Sequence, residues 1–334
     1  MSSFTGSVLV TGGTTGLGFH AAAEIARQRP DHCIVIAART DAGGSAESIN
    51  RRVLGSEDHD HHRRRVQFMV LDLGDLKSVR AFVARWAEQN LPPISILLLN
   101  AGRQFPFGDI QYTADGFEAT FGINHMGHAL LFYLLQPHLA NEARIVVTAS
   151  GTHDPLQKTG MPPPMYTSAE DLAHPASPAA LKAPGRQRYT SSKLCNVLWT
   201  YALDRRLGRP PSRQKWTVVA FDPGLMPGTG LARGYPAVAR FMWKRVLPSL
   251  IPLLRLVLSS PNIHTPEESG AALAWLALDA EVRMQSGVYF EGRRQIKSSV
   301  DSYDETKQEE LWAWTVKTLA RDEQERRRFE LVET

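Results

Sequence analysis

Residues 7–18 read SVLVTGGTTGLG. A short β-rich run (7–11) ends in a glycine-rich turn. A segment with Phe19, Ala22, Ala23 and Ile25 at helical spacing follows at once, over 18–28. Glycines at 12, 16 and 18 permit a tight turn, close approach of a pyrophosphate to the backbone, and close packing of helix on strand. The N–H groups that open such a helix lack partners within it and can hold phosphate oxygens. A glycine turn alone is a weak sign. Here a strand precedes it, a helix follows, and a second strand ends about 20 residues further on.

The same alternation continues outward. Residues 33–38, 66–71, 94–99, 145–148 and 216–221 are apolar runs of strand length, and 287–290 is a weaker one. Between them lies a helical segment over 76–88, with Val79, Phe82, Val83 and Trp86 on one face. Strands apolar on both faces and alternating with helices predict a parallel sheet covered on both sides. Right-handed crossovers make this a Rossmann-type, doubly wound α/β fold, which binds ligands beyond the carboxyl ends of its strands.

Composition narrows the class. With 334 residues, 43% hydrophobic and 22% charged, the chain is neither disordered, collagen-like nor coiled coil. We expect a single domain over 1–334, with a Pro- and Ala-rich insertion at 154–188, a lid at 230–262 and a C-terminal helix at 304–331. The charged stretch 55–65 reads as a connector, so His59, His61 and His62 are solvated and no metal site is expected. The net charge of +4 is diffuse, and Arg63–Arg65 and Arg326–Arg328 read as exposed charge, not nucleic-acid contacts. Cys33 and Cys195 cannot build a disulfide framework, which suits a reducing compartment. No secretory signal or uncharged apolar stretch of about 18 residues is evident, so a cytoplasmic location is expected.

Arg39 ends the second strand. An acidic residue there would bind ribose hydroxyls; arginine suits a 2′-phosphate, so NADPH/NADP is the expected cofactor. Asp72, followed by Leu73, ends the third strand, where it either meets the adenine edge or caps the next helix.

Taken together, the motifs resemble the short-chain dehydrogenase/reductase family. TGGTTGLG matches its TGxxxGxG turn, Asn100-Ala101-Gly102 its NAG signature, and Asn124-His125-Met126-Gly127 its helix-4 Asn motif. Ser150, the Tyr189…Lys193 pair and Asp222-Pro223-Gly224 follow in family order. The resemblance implies catalytic roles for Ser150, Tyr189 and Lys193, with Asn124 supporting a water chain behind the lysine. It implies cofactor contacts from Gly12, Thr14, Thr15, Gly16, Leu17 and Gly18, from Arg39, Asp72 and Leu73, and from Asn100, Ala101 and Gly102. Tyr189, Lys193, Pro223, Gly224, Leu225 and Thr229 complete that set.

The chemistry accounts for these residue types. Tyr189 and Lys193, four apart, share a helix face. The Lys193 ammonium and an oxidised nicotinamide favour phenolate by opposite charge. Tyr189 then serves as acid toward a carbonyl or base toward an alcohol, and Ser150 polarises the substrate oxygen. Cys195 faces away from this pair and reads as a core thiol.

Within the family the likeness is to the retinol-dehydrogenase and light-dependent protochlorophyllide oxidoreductase branch. It rests on Asp115-Gly116-Phe117-Glu118, on Asn124 to His128, and on the segment from Pro223 to Leu231. Leu225 stands where the light-dependent enzymes carry cysteine, and Gly228 where the family has threonine, leaving Thr229 to serve the nicotinamide amide. The expected reaction is NADPH-dependent hydride transfer to a ketone or aldehyde of a lipophilic or polycyclic molecule, reversible with the alcohol. Two alternatives stay open: a protochlorophyllide-type C=C reductase, and a non-catalytic dinucleotide-sensing protein. The insertion should cover the helical face through which many members dimerise, so a monomer is expected. The apolar lid reads either as ordinary packed helix or as the cover of a greasy site, with weak membrane contact aided by Lys244 and Arg245.

Overall fold

The computed structural model describes residues 4–54, 65–207, 215–258 and 260–330. Eight strands form one sheet: β1 (Gly6–Thr11), β2 (His32–Ala38), β3 (Val66–Val70), β4 (Ile94–Leu99), β5 (Leu139–Thr148), β6 (Lys215–Asp222), β7 (Val288–Glu291) and β8 (Arg294–Ile296). Their order is β3-β2-β1-β4-β5-β6-β7-β8, parallel throughout except for the antiparallel β7–β8 edge. The order reverses between β1 and β4, so the expected doubly wound topology is present and its crevice opens there.

Alternation along each strand builds two cores. Leu9, Val35, Leu97, Leu99, Ile145 and Val218 point to one face. Val8, Val10, Ile34, Ile36, Leu98 and Phe221 point to the other. Helices α1 (Gly16–Gln28), α2 (Ser45–Leu54) and α6 (Pro266–Leu278) lie on the second face. Helices α3 (Leu76–Glu88), α4 (Gly127–Leu135), α5 (Gly185–Leu207), α7 (Glu305–Leu319) and α8 (Glu323–Phe329) lie on the first.

Several elements depart from the sequence expectation. The region expected as the 154–188 insertion holds two short helices, Ala169–Ala173 and Pro178–Lys182, and already contains the start of α5. The run expected as one helix over 304–331 breaks at the extended Ala320. Asp322 then caps α8, and Phe329 stacks on Tyr133 with ring centroids 4.8 Å apart. Asp75, not Asp72, caps α3; the Asp72 side chain accepts from Gly74 N–H at 2.9 Å. His59, His61, His62, Arg63 and Leu331 lie outside the described residues. Arg326, Arg327 and Arg328 are exposed, as expected.

Helix α5 is enclosed. Every residue from Tyr189 to Leu203 is buried. The expected cover, the insertion, supplies part of this, since Met165 N–H donates to Ser191 Oγ at 2.9 Å. Helix α7 supplies another part: Trp312 stacks on Trp199 with centroids 6.1 Å apart, and Glu309 receives Arg206. At the start of α5, Arg188 pairs with Glu118 at 3.3 Å, both buried. Glu118 also accepts from Thr120 and Phe121, so one carboxylate joins α5 to the segment carrying Asn124. Removing it strands a buried guanidinium. Glu118→Ala is expected to lower stability by about 3–5 kcal/mol, as measured by denaturant unfolding.

Candidate active site

The crevice between β1 and β4 is organised by the glycine turn. Gly12 and Gly16 have φ of +67° and +54°, a conformation that other residues adopt at a cost. A Cβ on Gly18 would come within 2.6 Å of Gly12 O and of Asn100 Nδ2, so this contact requires glycine. Helix α1 opens without a side-chain cap and without an acidic residue in its first turn. Its free N–H groups and positive dipole end therefore face the crevice unneutralised.

Thr11 ties the two strand ends together. Its Oγ accepts from Asn100 N–H at 2.8 Å and Ala101 N–H at 3.0 Å, and donates to His128 Nε2 at 2.9 Å. The other ring nitrogen, Nδ1, donates to Asn124 O at 3.1 Å. Burial lowers the His128 pKa to about 4, so the ring is neutral and can bridge in this way. Residues 122–126 form a π-helical turn that sets Asn124 into the crevice. The Asn124 amide accepts from Arg103 N–H at 2.8 Å and donates to Arg103 O and Ser192 Oγ, each at 3.0 Å. It thus holds the turn after Gly102.

Ser150, Tyr189 and Lys193 converge beside this turn. Ser150 extends from the end of β5, and its hydroxyl hydrogen-bonds the Tyr189 phenol. Lys193 Nζ lies 5.7 Å from the Tyr189 ring centroid and donates to Thr148 O at 2.9 Å. Its remaining N–H donors have no partner among the described residues, although the side chain is buried. That orphaned ammonium, next to the uncapped helix and the bare Gly102, fits the ribose and phosphates of a dinucleotide. Burial lowers the Lys193 pKa to about 8. The Tyr189 phenol is pushed well up, first by burial and then by the Asp222 carboxylate, so it is protonated at neutral pH.

Around this centre stand residues whose roles sequence reading missed. Asp222 is buried, and its carboxylate accepts from Gly224 N–H at 3.0 Å, from Asn262 Nδ2–H at 2.8 Å, and from Gly151 N–H. It therefore clamps the Ser150 loop to the Pro223-Gly224 turn, and a Cβ on Gly151 would meet its Oδ2 at 2.8 Å. His153 Nδ1 donates to Ser150 O at 2.6 Å, and its Nε2 accepts from Ser299 N–H at 3.1 Å. His153 stands three residues after Ser150, a spacing not read as a signal, and Asp222 entered only as the first residue of the Asp222-Pro223-Gly224 turn. Arg103 is half-buried, and its pKa is lowered by burial and by the nearby charges of Arg39 and Arg233, against Asp72. Arg39 and Arg233 thus lie near enough to Arg103 for their charges to repel its own.

The second half of the expected contact set is more mixed. Thr229 packs its methyl near Gly16, about where an added Cβ would lie 3.6 Å away, but its hydroxyl donates to Met226 O at 3.0 Å. Leu225 is exposed at 38%, with its backbone paired to Asn262 and His264. Arg39 is exposed at the end of β2. Cys195 is fully buried, as expected of a core thiol. Among the described residues, no cluster with metal-ligand geometry is present.

A glycine turn at the switch point of a parallel sheet, with buried Tyr189 and Lys193 and the half-buried Ser150 beside it, defines a dinucleotide-dependent oxidoreductase. The model of the short chain dehydrogenase family matches residues 7–168, and that of the AcuH dehydrogenase domain matches residues 232–326. Polyprenol dehydrogenase of Danio rerio is 30% identical over 313 residues, covering 91% of this chain and 83% of that protein. Short-chain dehydrogenase iccH of Talaromyces variabilis is 29% identical, covering 92% and 93%. The chain belongs to the short-chain dehydrogenase family. Two solved structures share the fold: one from Mycobacterium paratuberculosis (TM-score 0.63, 23% identity, 95% and 94% covered) and a short-chain dehydrogenase of Burkholderia cenocepacia in complex with NADP (TM-score 0.58, 22% identity, 87% and 97% covered).

The Asp222 clamp is open to direct test. Asp222→Asn turns one acceptor oxygen into a donor facing other donors, at the cost of a charged hydrogen bond. It is expected to lower kcat/KM about tenfold or more in steady-state assays. An unchanged value would remove the clamp from the working site.

Proposed function

We propose that this enzyme is an NADP(H)-dependent carbonyl reductase that passes a hydride to a ketone or aldehyde of a lipophilic or polycyclic substrate, reversibly with the alcohol. The observation that carries the reading is the meeting of the half-buried Ser150 with the buried Tyr189 and Lys193 beside the crevice. The cofactor supplies the hydride when bound. The Tyr189 hydroxyl donates the proton to the substrate oxygen, and Ser150 fixes that oxygen by hydrogen bonding. Lys193 positions the ribose and returns positive charge to the phenol as it ionises. Asn124 acts by holding the 102–103 turn in place.

The gathering of Arg39, Arg103 and Arg233 favours a cofactor with an extra phosphate over one without. The substrate side is apolar. Phe107 meets Tyr235 edge-on with centroids 5.3 Å apart, and Tyr235 lies close enough to Tyr189 to influence its ionisation. Polyprenol dehydrogenase, among the relatives, is named for a lipophilic alcohol. The enclosed α5 leaves no open face for helix-to-helix pairing, which favours a single-domain monomer. We place it in the cytoplasm, with the lid as its point of contact with lipid. The presence of Tyr189, Lys193 and Ser150 together argues against a purely sensing role.

Replacing Tyr189 by Phe removes the proton donor and leaves the dinucleotide crevice intact. NADPH oxidation with a lipophilic aromatic ketone should fall by roughly 10²–10⁴-fold while NADPH binding, read by fluorescence titration, is kept. Full turnover in this variant would discard the mechanism. The pH profile follows from the shifts: carbonyl reduction needs a protonated phenol and a charged Lys193. Reduction should therefore hold below pH about 8 and fall as Lys193 loses its proton above it. In Arg39→Ala the preference for NADPH over NADH should shrink by roughly 10–100-fold, the share of one charged hydrogen-bond pair.

A further inference from the structure

The lid has two unlike sides. Its inner side is pinned to the crevice: Trp243 Nε1–H donates to Thr229 O at 3.1 Å, Gly228 N–H donates to Trp243 O at 2.9 Å, and Ile251 is buried. Its outer side is apolar and uncovered. Among the described residues, eight of the seventeen exposed large hydrophobic side chains fall between Val238 and Leu258. Val238 is 77% exposed, Leu256 76% and Val257 68%. Isolated exposed leucines need no explanation, but a concentration of this kind on one short segment marks an interaction surface. Because the inner side is already anchored, these residues are not waiting for a place in the core.

Charge identifies what covers them. From residue 223 to 266 the sequence has no Asp or Glu but five Arg or Lys. Arg255 turns inward, onto Ile263 O at 2.8 Å and Glu268 at 3.2 Å. Arg240, Lys244 and Arg245 are exposed and have no ion-pair partner among the described residues. A second copy docked face to face would bring two such unpaired cation sets together without an acid between them. Apolar side chains rimmed by unpaired cations instead suit a surface that is greasy beneath and negative on top.

We propose that the outer side of the lid docks on an anionic membrane surface, with Val238, Leu256 and Val257 reaching the acyl boundary and Arg240, Lys244 and Arg245 on lipid phosphates. No helix among the described residues is long and apolar enough to cross a membrane, so this contact is peripheral. The root of the lid faces the catalytic side, where Gln104 Nε2–H donates to Leu231 O at 3.3 Å and Phe107 stands exposed beside Tyr235. A lipid-dissolved carbonyl compound then moves from the bilayer to Tyr189 without crossing water. This last step rests on the proposed reductase function; the docking itself does not.

The test is co-sedimentation of the full chain with vesicles of phosphatidylcholine, alone or mixed with phosphatidylserine. The wild type should pellet with the mixed vesicles and be released by high salt. Arg240→Gln/Lys244→Gln/Arg245→Gln should weaken partition on the order of 100-fold at low salt. Leu253→Asp/Leu256→Asp/Val257→Asp, at exposed positions, should stay in the supernatant. Both variants should keep NADPH binding and turnover of a water-soluble aryl ketone. Wild type left in the supernatant with both vesicle types overturns the proposal, and so does equal pelleting of the variants. A concentration-dependent dimer that ignores vesicles and is dispersed by the Asp variant also overturns it and assigns the face to a second copy. Vesicle binding is scored without substrate, so a failed reductase assay and a failed docking assay are told apart.

Discussion

One hydroxyl group holds the working end of the sheet together. The Thr11 side chain, at the last position of β1, accepts from the first two N–H groups beyond β4 and donates a hydrogen bond to His128. The glycine turn, the Asn100–Gly102 turn and the π-helical turn with Asn124 are therefore tied together through this side chain, and the amides of Asn100 and Asn124 add to the link. Without it, less would hold these three segments in one arrangement, and all three border the crevice at the switch point. Because the hub is buried and its histidine neutral, the arrangement exists before any ligand arrives, which lowers the ordering cost of binding.

A second buried polar group does similar work on the opposite wall. Asp222 closes the carboxyl end of β6 and draws the Ser150 loop and the Pro223-Gly224 turn to itself. Burial first, and then the negative charge of Asp222, hold the nearby phenol protonated despite a lysine on the same helix face. Burial weakens the lysine's hold on its own proton at the same time. The phenol is thus kept in its protonated form, and the proposed proton donation fits that state.

Much of this was legible in residues 7–18 and in the runs that follow, because parallel strands buried on both faces leave continuous apolar stretches and glycine turns leave a fixed spacing. Tyr189 and Lys193 were legible for the same reason: a helix puts i and i+4 side by side. What sequence could not give was tertiary. The π turn at 122–126 has no distinctive composition, and the partners of Asp222, Arg103 and Glu118 come from distant parts of the chain. The short helices inside the insertion and the break at Ala320 were hidden because Pro- and Ala-rich or highly charged stretches carry little periodicity. The lid was read as either packed or covering; its outward face depended on which residues Trp243 and Ile251 would hold down.

The complete enclosure of Tyr189 to Leu203 has a dynamic corollary. Amide hydrogens in that stretch can meet water only when the whole molecule opens, whereas the lid, with little of its apolar surface packed, can open on its own at far lower free energy. The protein is thus divided into a slow-exchanging catalytic unit and a fast-exchanging cover. Hydrogen exchange in the enclosed helix and in the lid should therefore proceed on separate timescales.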